Sequence, residues 1–157
     1  MPPTRSGAAP GRPPVDVLAV IAVGGALGSA ARWGLGELLP HRAGELPVST
    51  WIANVTGAFA LGVLLVLVLE LWPPQRLLRP FWGVGILGGY TTFSTYLLDT
   101  RTLLEAGQPG RAGLYLVGTL VTGLAATWLG IALGRALVQG ATARAGGRHT
   151  DTEGSPP

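Results

Sequence analysis

Residues 83–96 read GVGILGGYTTFSTY, a stretch in which four glycines precede four hydroxyl residues interleaved with aromatic rings. They lie inside a charge-free block from Phe81 to Leu98. A helix needs about 20 mostly apolar residues to span a bilayer, so the block approaches that length. Glycine disfavours a helix by about 1 kcal/mol relative to alanine. We therefore expect the adjacent Gly88 and Gly89 to break this helix at membrane depth.

A break of this kind has chemical consequences. It frees backbone carbonyl and amide groups, which survive in a membrane only where protein, water or an ion satisfies them. Freed carbonyls suit a hard cation, whereas freed amides and hydroxyls suit an anion. The alternative is tight helix packing through the glycines, with the hydroxyls bonding back to the preceding turn. The dense pattern favours a functional break.

Three more apolar blocks flank the first one, and two of them carry no charge over more than 20 residues. Together the four blocks predict an all-α membrane protein with four transmembrane helices and a broken third helix. The membrane domain is predicted to cover 15–138, with spans at about 15–39, 48–70, 81–104 and 112–136.

Composition supports this class. The chain has 157 residues, of which 48% are hydrophobic and only 12% are charged, against about 25% charged in a typical soluble domain. There is no cysteine, and a net charge of +3 without a basic stripe argues against nucleic-acid binding. Proline, glycine and arginine dominate 1–14 and 139–157, which we predict to be disordered tails.

Single polar residues inside the spans are the candidate functional groups, since polar groups are costly in a membrane. Asn54 offers donors and an acceptor without charge, and its alternatives are a helix–helix hydrogen bond or a functional role. Tyr115, Thr119 and Thr122 share one helix face, which forms a polar path or a plain helix contact. Arg32 either snorkels to the interface or attracts anions to a vestibule.

Within the spans, acidic residues occur only near the ends. Glu37, Glu70 and Asp99 lie there, where we expect them to be solvated. His41 and His149 lie in a loop and a tail and form no metal or catalytic cluster. The sequence therefore does not predict an enzyme.

Three motifs, covering about 15–138, resemble the small four-span fluoride channels of the CrcB/Fluc family. They are GGALGSAARW (24–33), NVTGAF (54–59) and GGYTTFSTY (88–96). The last is the most specific, because a Gly-Gly-x-Thr-Thr-Phe-Ser-Thr-aromatic run inside a span is rare. The resemblance implies an antiparallel, dual-topology homodimer in the cell inner membrane, with two pathways for passive fluoride efflux.

The resemblance also implies roles for individual residues. Main-chain carbonyls of Gly88 and Thr91 match positions that hold a structural sodium ion, and Arg32 matches the vestibule arginine. The fluoride pathway matches Asn54, Phe93, Ser94, Thr95, Tyr96, Tyr115 and Thr119. Tyr96 departs from the family, which has a second phenylalanine there. Its hydroxyl either donates to fluoride or narrows the path.

Two other function classes compete with a fluoride channel. One is a small four-span dual-topology multidrug transporter, which needs an acidic residue deep in its first span. The other is a purely structural helical membrane protein packed by its glycines. Arginine placement favours cytoplasmic termini only modestly, so it does not exclude the two orientations that an antiparallel dimer requires.

Overall fold

The computed structural model describes residues 14–71 and 76–150, with side chains placed for 14–70 and 76–140. All regular elements in this described part are helices. Two of them contain π-helical turns, which lie at the end of α2 and the start of α3. In chain order they are α1 (Val15–Leu38), α2 (Val48–Val66, continued by Leu67–Leu71), α3 (Pro80–Leu87 with Gly88–Tyr90), α4 (Phe93–Glu105) and α5 (Pro109–Thr150).

Three stretches of helix are long and apolar enough to cross a membrane: Val15–Leu38, Val48–Glu70 and Pro109–Gly140. The third predicted span instead divides into α3 and α4. α5 runs past the predicted span end at residue 136, so residues 139–150 of the predicted C-terminal tail lie within a helix. The rest of the predicted tails, 1–13 and 151–157, falls outside the described residues.

Glycines allow the helices to approach closely in two pairs. α1 packs chiefly against α3, and α2 packs chiefly against α5. A Cβ at Gly24 would lie 2.6 Å from the Phe81 carbonyl oxygen, and one at Gly28 would overlap the Ile86 carbonyl. Gly130 lies similarly close to the backbone of α2. Because these glycines have no side chain, the backbones of the paired helices come into direct contact.

The break between α3 and α4 lies at Thr91 and Thr92. Both residues are extended, with φ −83° and ψ 155° at Thr91 and φ −148° and ψ 126° at Thr92. Gly88 and Gly89 remain helical, so the prediction that they break the helix was wrong. Two consecutive β-branched residues favour extended backbone, and they stop the helix here. Gly89 serves packing instead, since a Cβ there would overlap the Gly25 carbonyl.

Candidate functional site

The Asn54 side chain binds the backbone of the break itself, at Thr92. Its Nδ2 donates to the Thr92 carbonyl oxygen at 3.0 Å, and its Oδ1 accepts from the Thr92 amide at 2.8 Å. A single amide side chain thus satisfies both groups that Thr92 would have paired in a continuous helix. One N–H of the Asn54 amide is left over for another acceptor.

A second set of donors serves the carbonyl of Gly89 at the end of α3. Arg32 Nε donates to this oxygen at 3.2 Å, and Ser29 Oγ donates at 3.4 Å. The last carbonyls of a helix carry its partial negative charge, so a guanidinium is well placed beside them. α1 therefore closes the break from one side, while Asn54 of α2 closes it from the other.

The carbonyl oxygens of Gly88 and Thr91, also at the break, are not paired in this way. Within the described residues, no hydrogen bond is formed to the carbonyl oxygen of Gly88 or of Thr91. The amide that would have bonded Gly88 in a continuous helix belongs to Thr92, and it donates to Asn54 instead. Both residues line the groove described below. Their carbonyls are the pair that the resemblance assigns to a sodium ion.

The start of α4 is capped from within. The Thr92 hydroxyl oxygen accepts from the Thr95 amide at 3.2 Å and also lies 3.0 Å from the Thr95 hydroxyl oxygen. This is the hydrogen bond expected of a threonine at an N-cap. Phe93 and Ser94 are the first two residues of α4, so their amides have no acceptor within the helix. The helix thus presents its positive end beside the break.

An open groove of about 490 Å³ runs beside the break. It brings together six residues that the sequence predicted for the site: Asn54, Gly88, Thr91, Phe93, Tyr96 and Thr119. The remaining lining is apolar or small, apart from Thr92 and Thr127. No residue that lines this groove is charged. It is therefore an uncharged and mostly apolar groove formed by α2, α3, α4 and α5, with a few polar groups on its wall.

The Thr119 hydroxyl is the unusual group on the groove wall. Thr119 is only 7% exposed, and among the described residues its Oγ1 is the buried side-chain oxygen without a hydrogen-bond partner. Leaving a buried hydroxyl unpaired costs about 1–3 kcal/mol, so such a group calls for a ligand or a water. Thr119 also lines a neighbouring groove of about 350 Å³ with Trp51 and Tyr115.

The other predicted site residues lie elsewhere. Tyr115 is buried on α5, and its hydroxyl donates to Asp99 at 3.3 Å. Thr95 and Arg32 line a separate pocket of about 360 Å³. Ser94 is exposed and lines none of these three cavities. The single chain therefore assembles part of the predicted pathway and leaves the start of α4 uncovered.

Sequence reasoning missed Asp99. We expected it to be solvated at a span end, but its side chain is only 12% exposed and accepts the hydrogen bond of Tyr115. His41 Nε2 lies 3.9 Å from its other oxygen. The signal lay in the spacing from Tyr96, since Asp99 follows it by three residues and so shares its helix face.

Comparison with known proteins decides the family. Residues 19–131 match the family described as "CrcB-like protein, Camphor Resistance (CrcB)". The chain belongs to the CrcB-like family. It is a multi-pass membrane protein, and its family consists of channels and not of enzymes.

Named relatives of this CrcB-like chain include "Fluoride-specific ion channel FluC 3" of Streptomyces avermitilis, which is 53% identical over 76% of the chain and 58% of the relative. "Fluoride-specific ion channel FluC 2" of Nocardia farcinica is 51% identical over 81% of the chain and 93% of the relative. "Fluoride-specific ion channel FluC" of Thermus thermophilus is 46% identical over 76% and 95%, respectively. Similarity to proteins of this name therefore spans most of the described chain.

Proposed function

We propose that this CrcB-like chain is a fluoride-specific channel that lets fluoride leave the cell passively across the plasma membrane. The observation that carries the proposal is the buried, unpaired Thr119 hydroxyl on a neutral groove shared with Asn54 and Phe93. An unpaired donor at membrane depth is costly unless an ion or water uses it. The names of the relatives point to the same ion.

The groove suits a small, strongly hydrated anion. A pore must replace the water around fluoride, and hydroxyl and amide donors do this without a full positive charge that would trap the ion. The spare N–H of Asn54, the Thr119 hydroxyl and the free amides at the start of α4 are such donors. The edge of the Phe93 ring adds the positive part of an aromatic quadrupole.

Arg32 lines a pocket that would serve as the entrance through which fluoride reaches the groove. Its Nε is used by the Gly89 carbonyl, but the two terminal nitrogens of a guanidinium carry further donors. The pocket it lines also contains Thr95, so an anion attracted there comes near a proposed pathway residue. Glu37 lines the same pocket, and its carboxylate tempers the positive charge of Arg32.

The active form is an antiparallel homodimer with dual topology. One chain leaves the groove open and exposes Phe93, with 71% of its surface accessible, and the Ser94 hydroxyl beside it. Lipid cannot satisfy the polar groups of such a groove, whereas a second copy of the chain can cover it. Two copies related by a two-fold axis form two equivalent pathways. In this arrangement α3 and α4 together make the third of four membrane crossings.

A structural sodium ion completes the proposal, with the main-chain carbonyls of Gly88 and Thr91 as its ligands. Hard cations prefer oxygen ligands, and these two oxygens receive no hydrogen bond within the described residues. One chain supplies two oxygens, and a two-fold axis would double them. The ion supplies fixed positive charge near the anion path, while the chain holds the carbonyls in place through the Thr91 side chain, which bonds Leu87.

The multidrug-transporter alternative is not favoured. The groove carries no acidic residue, and the relatives are named as fluoride channels. A purely structural role leaves the unpaired Thr119 hydroxyl without a reason.

Fluoride efflux from vesicles tests the proposal. The purified chain is reconstituted into liposomes loaded with potassium fluoride or potassium chloride, and a fluoride or chloride electrode follows release after valinomycin is added. We expect rapid fluoride release and chloride release no faster than from protein-free vesicles. Equal release of both ions, or of neither, would refute a fluoride-specific channel.

A further inference from the structure

Tyr96 lines the groove, but its hydroxyl bonds a neighbouring helix and not a group of the groove. Its hydroxyl donates to the Leu116 carbonyl oxygen of α5 at 2.5 Å. A phenol has one proton to donate, and here that proton is used within the chain. The hydroxyl therefore differs from that of Thr119, which is unpaired.

A second hydrogen bond joins the same two helices, with its donor on α5 and its acceptor on α4. Tyr96 of α4 bonds the backbone of α5, while Tyr115 of α5 bonds the Asp99 side chain of α4. The two rings lie against each other with centroids 5.4 Å apart, and the Phe93 ring lies 5.9 Å from that of Tyr96. Tilted ring pairs at these separations attract each other. Phe93 is thus joined to α5 through Tyr96.

α4 is held mainly by its packing against α5, where Leu103 meets Ala112 and Tyr115 and the Tyr96 ring lies against this cluster. It has 13 residues and is separated from α3 by the two extended residues at the break. Helices of this length are marginal alone and depend on packing against a neighbour. Only Leu103 of α4 is buried in the described chain.

We propose that Tyr96 is a positioning residue that acts through the Leu116 carbonyl and does not bind the ion. Its hydroxyl holds α4 against α5 and so fixes Phe93 at the groove. The proposal rests on the proposed function, because its consequence is a change in fluoride flux. It reverses the reading in which the extra hydroxyl of this chain donates to fluoride.

The test compares Tyr96→Phe with wild type, and Tyr90→Phe is the matched control. Tyr90 loses an equivalent hydroxyl, one bonded to Thr56 on another face of the molecule. Fluoride flux per folded channel is measured over a range of fluoride concentrations, and hydrogen–deuterium exchange is followed over the 93–105 segment. For Tyr96→Phe we expect maximal flux to fall about five-fold, the order expected from one neutral hydrogen bond. We also expect an unchanged half-saturating fluoride concentration and faster exchange over 93–105.

Three results would overturn the proposal. A raised half-saturating concentration with unchanged exchange would make the hydroxyl an ion ligand. Faster exchange with unchanged flux per folded channel would make its role only structural. No change in flux or exchange, or the same changes in Tyr90→Phe, would show that the Tyr96 hydroxyl has no specific role in positioning α4. If wild type carries no fluoride, the proposed function fails, and exchange over 93–105 alone decides whether Tyr96 anchors α4.

Discussion

Asn54 shows how one side chain can keep a broken helix at membrane depth. Its two hydrogen bonds to Thr92 replace those that the break removes, and they use one donor and the acceptor of the amide. The two readings open at the sequence level, a structural hydrogen bond or a functional group, are compatible here, because one N–H remains free.

Replacing Asn54 by leucine should destabilise the protein. The apolar side chain is similar in size but leaves the Thr92 amide and carbonyl unpaired, at a cost of about 1–3 kcal/mol each. We expect a lower midpoint of thermal unfolding in detergent and a loss of fluoride flux. Thr56→Val serves as control, since the Thr56 hydroxyl bonds its own helix and Tyr90. If Asn54→Leu unfolds at the same temperature as the control, the two hydrogen bonds from Asn54 to Thr92 do not stabilise the protein.

The individual site residues were partly predictable from sequence. Asn54, Phe93 and Thr119 stand out because they are polar or aromatic groups inside apolar blocks, and they do meet at one groove. That Thr92 pairs with Asn54 was not predictable, since the two lie 38 residues apart and no local pattern joins them. Asp99 was misread because a carboxylate at a span end is usually solvated, whereas here α5 covers it.

At the scale of elements, the third helix shows where local reasoning goes wrong. Its break was expected at Gly88–Gly89 from helix propensity, yet it lies at Thr91–Thr92. Contact between α1 and α3 overrides the propensity of glycine, because only residues without a Cβ fit against Gly25. Apolar length alone placed α1 and α2 well, since long charge-free stretches leave few alternatives.

Gly28→Ala should separate α1 from α3. The added Cβ overlaps the Ile86 carbonyl, and a backbone atom cannot move aside as a side-chain end can. Overpacking of this kind costs about 1–3 kcal/mol. Gly34→Ala lies in the same helix with open space around its Cβ, so we expect it to leave stability unchanged or slightly raised. Thermal unfolding of the two variants compares them, and equal midpoints would argue against close packing at Gly28.

At the scale of the whole molecule, the described chain leaves part of its polar surface uncovered. Its groove is open, and the residues at the start of α4 are exposed. The proposed antiparallel dimer accounts for both features with one operation. Contacts within one chain do not test the dimer, because its interface would consist of surfaces that are exposed in the single chain.

Dual topology can be measured in cells. The chain has no cysteine, so Ala43→Cys in the loop between α1 and α2 provides one labelling site. We expect an impermeant thiol reagent to label about half of the molecules from outside, because an antiparallel dimer places the loop on each side equally. Labelling of all molecules or of none would exclude an antiparallel homodimer. A permeant reagent, which should label every copy, is the control.

The central claim is that fluoride crosses along the neutral groove and uses the unpaired Thr119 hydroxyl. Fluoride efflux from vesicles containing Thr119→Val tests it most directly, because valine keeps the shape of threonine and removes only the donor. Thr102→Val is the matched control, since its hydroxyl bonds the Leu98 carbonyl at an exposed position of α4. We predict that Thr119→Val lowers fluoride efflux at least about ten-fold, as expected for a lost hydrogen bond to an ion, while Thr102→Val matches wild type. Wild-type efflux from Thr119→Val would contradict the account.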